Sequence, residues 1–155
     1  MTLADVTYHE PTPADLEHIA ANLRPADLAE MQATLPIAAL EGLRRSVAMS
    51  HEACVARVDG IAACVFGLGV GSYMAGLMRP WLFGTSAVEA NGRIFLRSNR
   101  VVVNDWSSRF DLENWVDARH TVSVRWLRWL GFTMHEAAPF GPFGFDFHRF
   151  EMRRQ

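Results

Sequence analysis

The hydrophobic period of the chain changes several times, and each change marks an element. Val6–His9 alternates apolar and polar residues and predicts a short first strand. Thr12-Pro13-Ala14-Asp15 reads as a helix start, with a capping threonine, a proline where no helical N–H is needed, and an acid in the first turn. Leu16, Ile19, Ala20 and Leu23 follow at helical spacing. Pro25 restarts a second segment with Leu28 and Met31 on one face, and Pro36 opens a third through Ile37, Leu40, Leu43 and Val47 to about Ser50. Asp59-Gly60 is a two-residue hairpin signal between Ala53–Val58 and Ile61–Val70. That turn sets Val58 opposite Ile61, Val55 opposite Cys64 and Cys54 opposite Val65, which sends Cys54 and Cys64 to opposite faces. The face of Cys54, Ala56, Val58, Ile61, Ala63 and Val65 is wholly apolar and is expected against helices, while Arg57 marks the other as partly wet.

The second half continues with a short strand at Pro80–Phe83 and a capping-box spacing at Ser86–Glu89. Asn91-Gly92 ends that first turn. Ile94, Phe95, Val101, Val102 and Trp106 then form the apolar series of a helix, with Arg93, Arg97 and Arg100 opposite. Leu112–Asp117 predicts a strand, and Thr121–Leu130 a largely buried helix closed by Gly131 in the left-handed position. Phe132–Ala138 and Phe145–Met152 complete the pattern. Trp115, Trp126 and Trp129 are expected as core anchors with their N–H groups satisfied nearby. Trp81, beside Arg79, is expected to line a ligand groove or an interface.

Composition narrows the picture. A chain of 155 residues, half of them hydrophobic, suits one domain over residues 1–155 with a sizeable core. A net charge of −2 argues against a strongly basic, sequence-specific nucleic-acid binder. No run approaches the ~18 apolar residues of a membrane span. The first residues, Met1 to Val6, lack the basic and apolar regions of a secretory leader, so an intracellular setting is expected. All 15 basic residues are arginine. Residues 1–60 carry nine acids against four arginines, and residues 61–155 eight acids against eleven, so a negatively charged partner is expected at the later half.

Some motifs drop out. Cys54 and Cys64 have no zinc spacing, and His51-Glu52 and His135-Glu136 lack the second histidine of a metal helix, so no metal is expected. Gly67-Leu-Gly69-Val-Gly71 has no helix opening behind it and reads as a strand end and flexible loop rather than a phosphate cradle.

The element order, with Asn114-Trp-Val-Asp-Ala-Arg-His-Thr-Val-Ser-Val-Arg-Trp-Leu-Arg-Trp-Leu-Gly-Phe132, resembles the GNAT (Gcn5-related N-acetyltransferase) superfamily. Pro80–Thr85, Glu113–Ala118, Val124–Phe132 and Pro139–Gly144 are similar to GNAT-related proteins of tailed bacteriophages, a group that includes an internal virion protein of short-tailed phages. The resemblance implies an α/β (α+β) fold, a mixed, mostly antiparallel sheet with a splayed central strand pair, flanked by helices. It implies acetyl-CoA in a gap between Pro80–Phe83 and Leu112–Asp117, with Trp81, Phe83, Gly84, Thr85, Ser86 and Asn114 on the cofactor side. The family's basic residue and spaced glycines are here reduced to Gly84-Thr85-Ser86-Ala87, and its usual tyrosine is matched by Leu127. If the chain is a transferase, Glu113 or Asp117 is the expected base and His120 the group at the thiolate. Asp117 paired with Arg119, or His120 as a helix-end residue, are the plainer alternatives. A protein partner, either a phage virion component or a host protein, is expected in the host cytoplasm or the virion. Phe140, Phe143, Phe145, Phe147 and Phe150, with Arg149, Arg153 and Arg154, supply residue types suited to an interface.

Overall fold

Local signals place the first elements. In the computed structural model, which describes residues 3–155, the run Val6–His9 forms β1. Met1 and Thr2, part of the segment read for a leader, lie outside the described residues. Thr12 caps α1 (Pro13–Ala21) through a reciprocal bond with Asp15. Next come α2 (Pro25–Thr34), α3 (Ala39–Ala48), β2 (Ser50–Val58), β3 (Ile61–Ser72), β4 (Leu77–Gly84) and α4 (Ser86–Ala90). The second half holds α5 (Gly92–Arg109), β5 (Asp111–Asp117), α6 (Thr121–Leu130), β6 (Thr133–Met134), β7 (Ala138–Phe140) and β8 (Phe145–Met152). The sheet order is β1-β2-β3-β4-β5-β8-β6, with β7 also on β8. Every pair is antiparallel except β4 and β5. This is the mixed, mostly antiparallel sheet that the resemblance implied.

Four expectations need correction. The third helix starts at Ala39 rather than Pro36, because Leu35 is extended ahead of the proline and the Ile37 amide turns back onto the Leu35 carbonyl. The β2–β3 register follows the turn only as far as Ala62. Arg57 pairs with Ala62 but Ala56 with Cys64, so Ala63 is an extra residue, and beyond this bulge Cys54 opposes Phe66. Cys54 and Cys64 therefore lie on the same face, both as free thiols. The face expected to be wet is covered: Leu16, Ile19, Met31 and Leu43 pack on Val55, Ala62 and Val65. Arg57 there reaches the buried Asp15 at 2.9 Å. Finally, the glycine run is strand, not loop. A Cβ on Gly67 would lie 2.7 Å from the Glu52 carbonyl oxygen and 2.9 Å from the Trp81 ring, so glycine lets that ring lie flat on β3.

The opposite face of the sheet packs against α5 and α6 through Phe95, Val103, Trp106, Val124 and Leu130. Gly131 takes φ 102° and closes α6 as expected. That helix is less buried than its pattern suggested. Trp129 is 45 % exposed, its ring covered by the Arg100 guanidinium at 3.7 Å.

Candidate functional site in the forked sheet

β4 and β5 pair only at Leu77–Asp111 and Met78–Leu112, and then they part. A strand directs the backbone groups of alternate residues to the same edge. On the β5 side of β4, Met78 joins the ladder. Pro80 has no N–H to leave unpaired, and its carbonyl accepts the Asn114 side chain at 2.9 Å. Gly84 donates its amide to Asp27 Oδ2 at 2.8 Å and accepts from the Arg24 amide at 2.9 Å. By the same alternation, Leu82 directs its amide and carbonyl into the gap.

The fork encloses a cavity of about 260 Å³. Glu30, Met31 and Thr34 of α2 line it on one side of the sheet, and Val102, Trp106, Trp126 and Leu127 of α5 and α6 on the other, so it passes through the sheet. Trp81, Phe83, Trp115 and Phe140 contribute aromatic walls. Trp115 and Phe140 stack at 4.8 Å, while Trp81 donates its N–H to Ser50 Oγ at 2.8 Å. Trp126, which lines the cavity, has a buried Nε1 without a hydrogen-bond partner, against the expectation that the tryptophan donors are satisfied.

A buried polar cluster bridges the wide end of the fork. Asp27 is fully enclosed and receives Arg24 Nε at 2.8 Å, the Gly84 amide and His120. His120 Nδ1 accepts from the Ser123 amide at 3.4 Å, which leaves Nε2 to donate to Asp27 Oδ1 at 2.6 Å. Ser123 Oγ sits 3.1 Å from that same Nε2. Serine and acid thus meet one ring nitrogen instead of opposite ones, and the trio is no nucleophile relay. Burial works to raise the Asp27 pKa, but the His120 and Arg24 hydrogen bonds, the Arg24 charge and the Gly84 amide together hold it below the usual range. Glu30 responds in the opposite sense. It lines the cavity, and burial pushes its pKa up to about 7 despite the nearby His120 and the Asp117 amide at 3.1 Å. Carboxylate and imidazole ligand atoms of Asp27, Glu30 and His120 lie within 4.8 Å of one another. A cation there would have to displace Arg24 from Asp27.

The anticipated residues separate into three groups. Trp81, Phe83 and Asn114 line the cavity. Gly84, Thr85 and Ser86 stand beyond it at the β4–α4 junction, where Thr85 rather than Ser86 caps α4 because Ser86 is already helical. The Thr85 amide donates to the Ala63 carbonyl at 2.8 Å and the Ala87 amide to Thr85 Oγ at 3.3 Å. Glu113, Asp117 and His120 are not among the cavity-lining residues. Glu113 is held by Arg149 at 3.3 Å. Burial works to raise the Asp117 pKa, but Arg119, at 2.6 Å, holds the acid below its usual range. His120 serves both as the cap of α6 and as the partner of Asp27. Arg24, Asp27 and Glu30 were not anticipated at all.

No family model matches the sequence, and no curated protein matches it. Solved structures share its fold. The acetyltransferase of GNAT family from Streptococcus pneumoniae aligns over 96 % of this chain and 98 % of its own at 13 % identity, with a TM-score of 0.64. The yncA structure from Salmonella typhimurium with its cofactor acetyl-CoA aligns over 97 % and 94 % at 14 % identity, with a TM-score of 0.67. RimL, the ribosomal L7/L12 α-N-protein acetyltransferase in complex with coenzyme A, aligns over 96 % and 93 % at 8 % identity, with a TM-score of 0.70. The chain therefore has the fold of the GNAT acetyltransferases. No helix among the described residues is long and apolar enough to cross a membrane.

Proposed function

We propose that this GNAT-fold protein acts by binding rather than by acyl transfer: a bacteriophage accessory or virion-associated protein, with a protein partner and a degenerate acetyl-CoA site. One observation carries the reading. The amide of Gly84, where the resemblance puts the cofactor's pyrophosphate, already holds the buried carboxylate of Asp27. Of the next three amides, Thr85 and Ala87 are engaged within the protein, and Ser86 alone has no partner among the described residues. An incoming phosphate would have to displace that carboxylate and would find one free amide in place of a cluster of donors, which removes most of what an anion site offers. Leu127 on the cavity wall offers no proton to a leaving thiolate. The phage assignment rests on the sequence segments alone.

The test is thermal unfolding with acetyl-CoA. A ligand at 100 times its Kd adds about 2.7 kcal/mol to stability, a readily measured shift. No shift at millimolar acetyl-CoA is expected, and a saturable one overturns the proposal. Mass spectrometry of purified particles then checks the virion role, and recovery of one specific host protein instead would favour an inhibitory binder.

A second reading, an active N-acetyltransferase on a protein or small amine, is favoured by the open apolar cavity and by Leu82, whose amide faces it. Acetyl-CoA would then lie along Trp81, Phe83 and Asn114 and bring the acyl chemistry. Glu30, which lines the cavity and titrates near neutrality, would take the acceptor's proton more readily than Glu113 or Asp117, both already paired with arginine. Under this reading Glu30→Gln abolishes acetylation with little loss of acetyl-CoA affinity.

A further inference from the structure

Away from the fork, the outer faces of α5 and α6 carry a concentration of arginines outside any ion pair among the described residues. β4 and β5 are parallel, so α5 between them runs back against both. β5 and β6 each lie antiparallel to β8 and are therefore parallel to one another, so α6 runs back as well. The two helices thus point the same way, and the Arg100–Trp129 stack fixes their alignment. Arg97 then stands level with Trp126, one turn earlier, and Arg93 with Val122. Arg125 and Arg128 fall inside the same interval on α6.

Five arginine positions therefore span about 10.5 Å of helix length, on neighbouring helices whose axes lie about 8–10 Å apart, with Arg128 on the flank of α6 turned from α5. Arg93, Arg97, Arg100, Arg125 and Arg128 are all exposed. None forms an ion pair among the described residues, whereas Arg24, Arg57, Arg109, Arg119 and Arg149 do; Arg100 donates to the Trp129 carbonyl at 3.0 Å. There is no acid from Arg93 to Asn104 or from Thr121 to Leu130. Asp105, one residue further on, is engaged by Arg109 at 2.8 Å.

We propose that this two-helix face binds the phosphate backbone of nucleic acid without reading its sequence. Guanidinium forks match phosphate oxygens, and five in such a small area concentrate positive potential on a protein whose net charge is −2. The chemistry suits nucleic acid better than an acidic protein. Protein interfaces place an apolar, charge-depleted patch at their centre, whereas this face offers charge throughout, with Trp129 and Val101 as isolated exposed apolar groups among the arginines. The arginines are spread over two adjacent helices instead of along one helix edge that could enter the major groove, so contacts stop at the backbone.

Fluorescence anisotropy with labelled duplexes of about 25 base pairs, in two unrelated sequences, tests this. Five phosphate contacts predict a slope of about −4.5 in log affinity against log salt, equivalent to about a 500-fold loss from 50 to 200 mM. Both duplexes are expected to bind equally. The exposed double variant Arg97→Gln/Arg125→Gln, checked for unchanged helicity, is expected to reduce the slope by about 2. Arg45→Gln, on α3 and paired with Glu41, serves as a control that leaves it unchanged. Absence of binding at 50 mM salt, or a slope that the double variant does not change, overturns the proposal. So does polyglutamate competing as well as DNA, which would assign the face to an acidic protein.

Discussion

The two sides of β4 solve the same problem differently. Toward β3 it is paired at eight positions, from Leu77–Ser72 to Gly84–Cys64, and the aromatic ring of Trp81 rests on Gly67. Toward β5 it is paired at two, and the rest of that edge is met by individual side chains: Asn114 on the Pro80 carbonyl, Asp27 on the Gly84 amide. A ladder spreads its stabilisation over many equivalent bonds. A fork concentrates it in a few groups, each buried and each with its own titration or packing cost. Substitutions should therefore be felt far more unevenly on the β5 side than on the β3 side.

The sharpest way to break this contrast is Asp27→Ala. It leaves the buried Arg24 with only the exposed Glu89, at 3.4 Å, and frees His120 and the Gly84 amide, so a loss of about 3–5 kcal/mol is expected in urea unfolding. A change under ~1 kcal/mol would show that the cluster does not hold the fork together.

Glu30→Gln is expected next. Between its unfolded value of 4.5 and about 7 the folded protein keeps a proton on Glu30 that the unfolded chain has released. Stability therefore falls as pH rises through this window, by no more than about 3 kcal/mol. Asp27 acts with the opposite sign, its depressed pKa contributing stability that is present above the unfolded value and lost as pH falls. The Gln variant should remove the fall between pH 4.5 and 7 and leave the acid limb intact, which chemical denaturation at a series of pH values would read.

On the laddered side, Gly67→Ala forces a methyl against the Glu52 carbonyl and the Trp81 ring and is expected to cost about 1–3 kcal/mol. Gly92→Ala, with open space around its Cβ, is the control and should cost nothing. Apart from that control, the smallest effect belongs to Asn114→Ala, about 1 kcal/mol by thermal unfolding, because its two hydrogen bonds, to the Pro80 carbonyl and from the Trp115 amide, are neutral and the cavity lets water reach the Pro80 carbonyl.

Signals within a turn of the residues they control were legible from the chain. Thr12-Pro13, Asp59-Gly60 and Gly131 each act locally, and each appears in its expected role. The fork was legible only through the GNAT resemblance, since nothing in Pro80–Phe83 or Leu112–Asp117 says that two strands part. The bulge at Ala63 was not readable, because inserting one residue among Ala, Cys and Val leaves the hydrophobic pattern unchanged. The polar cluster was missed for a different reason. Asp27 and His120 are 93 positions apart, and only the fold brings them together. One clue was available: Arg24, Asp27 and Met31 share a helical face, so two charges lie on the stripe that otherwise faces the core. Charges on a buried stripe ask for partners elsewhere in the chain.

Pro80 has one more effect. Where two strands diverge, each bares a row of backbone groups to which an intruding polypeptide could add itself, much as amyloid recruits fresh molecules. Here that row has no donor at residue 80 and is claimed by Asp27 at residue 84, which leaves Leu82 alone between them. A single free position cannot seed a new strand, so β4 can border an opening through the sheet without its edge becoming a template for aggregation.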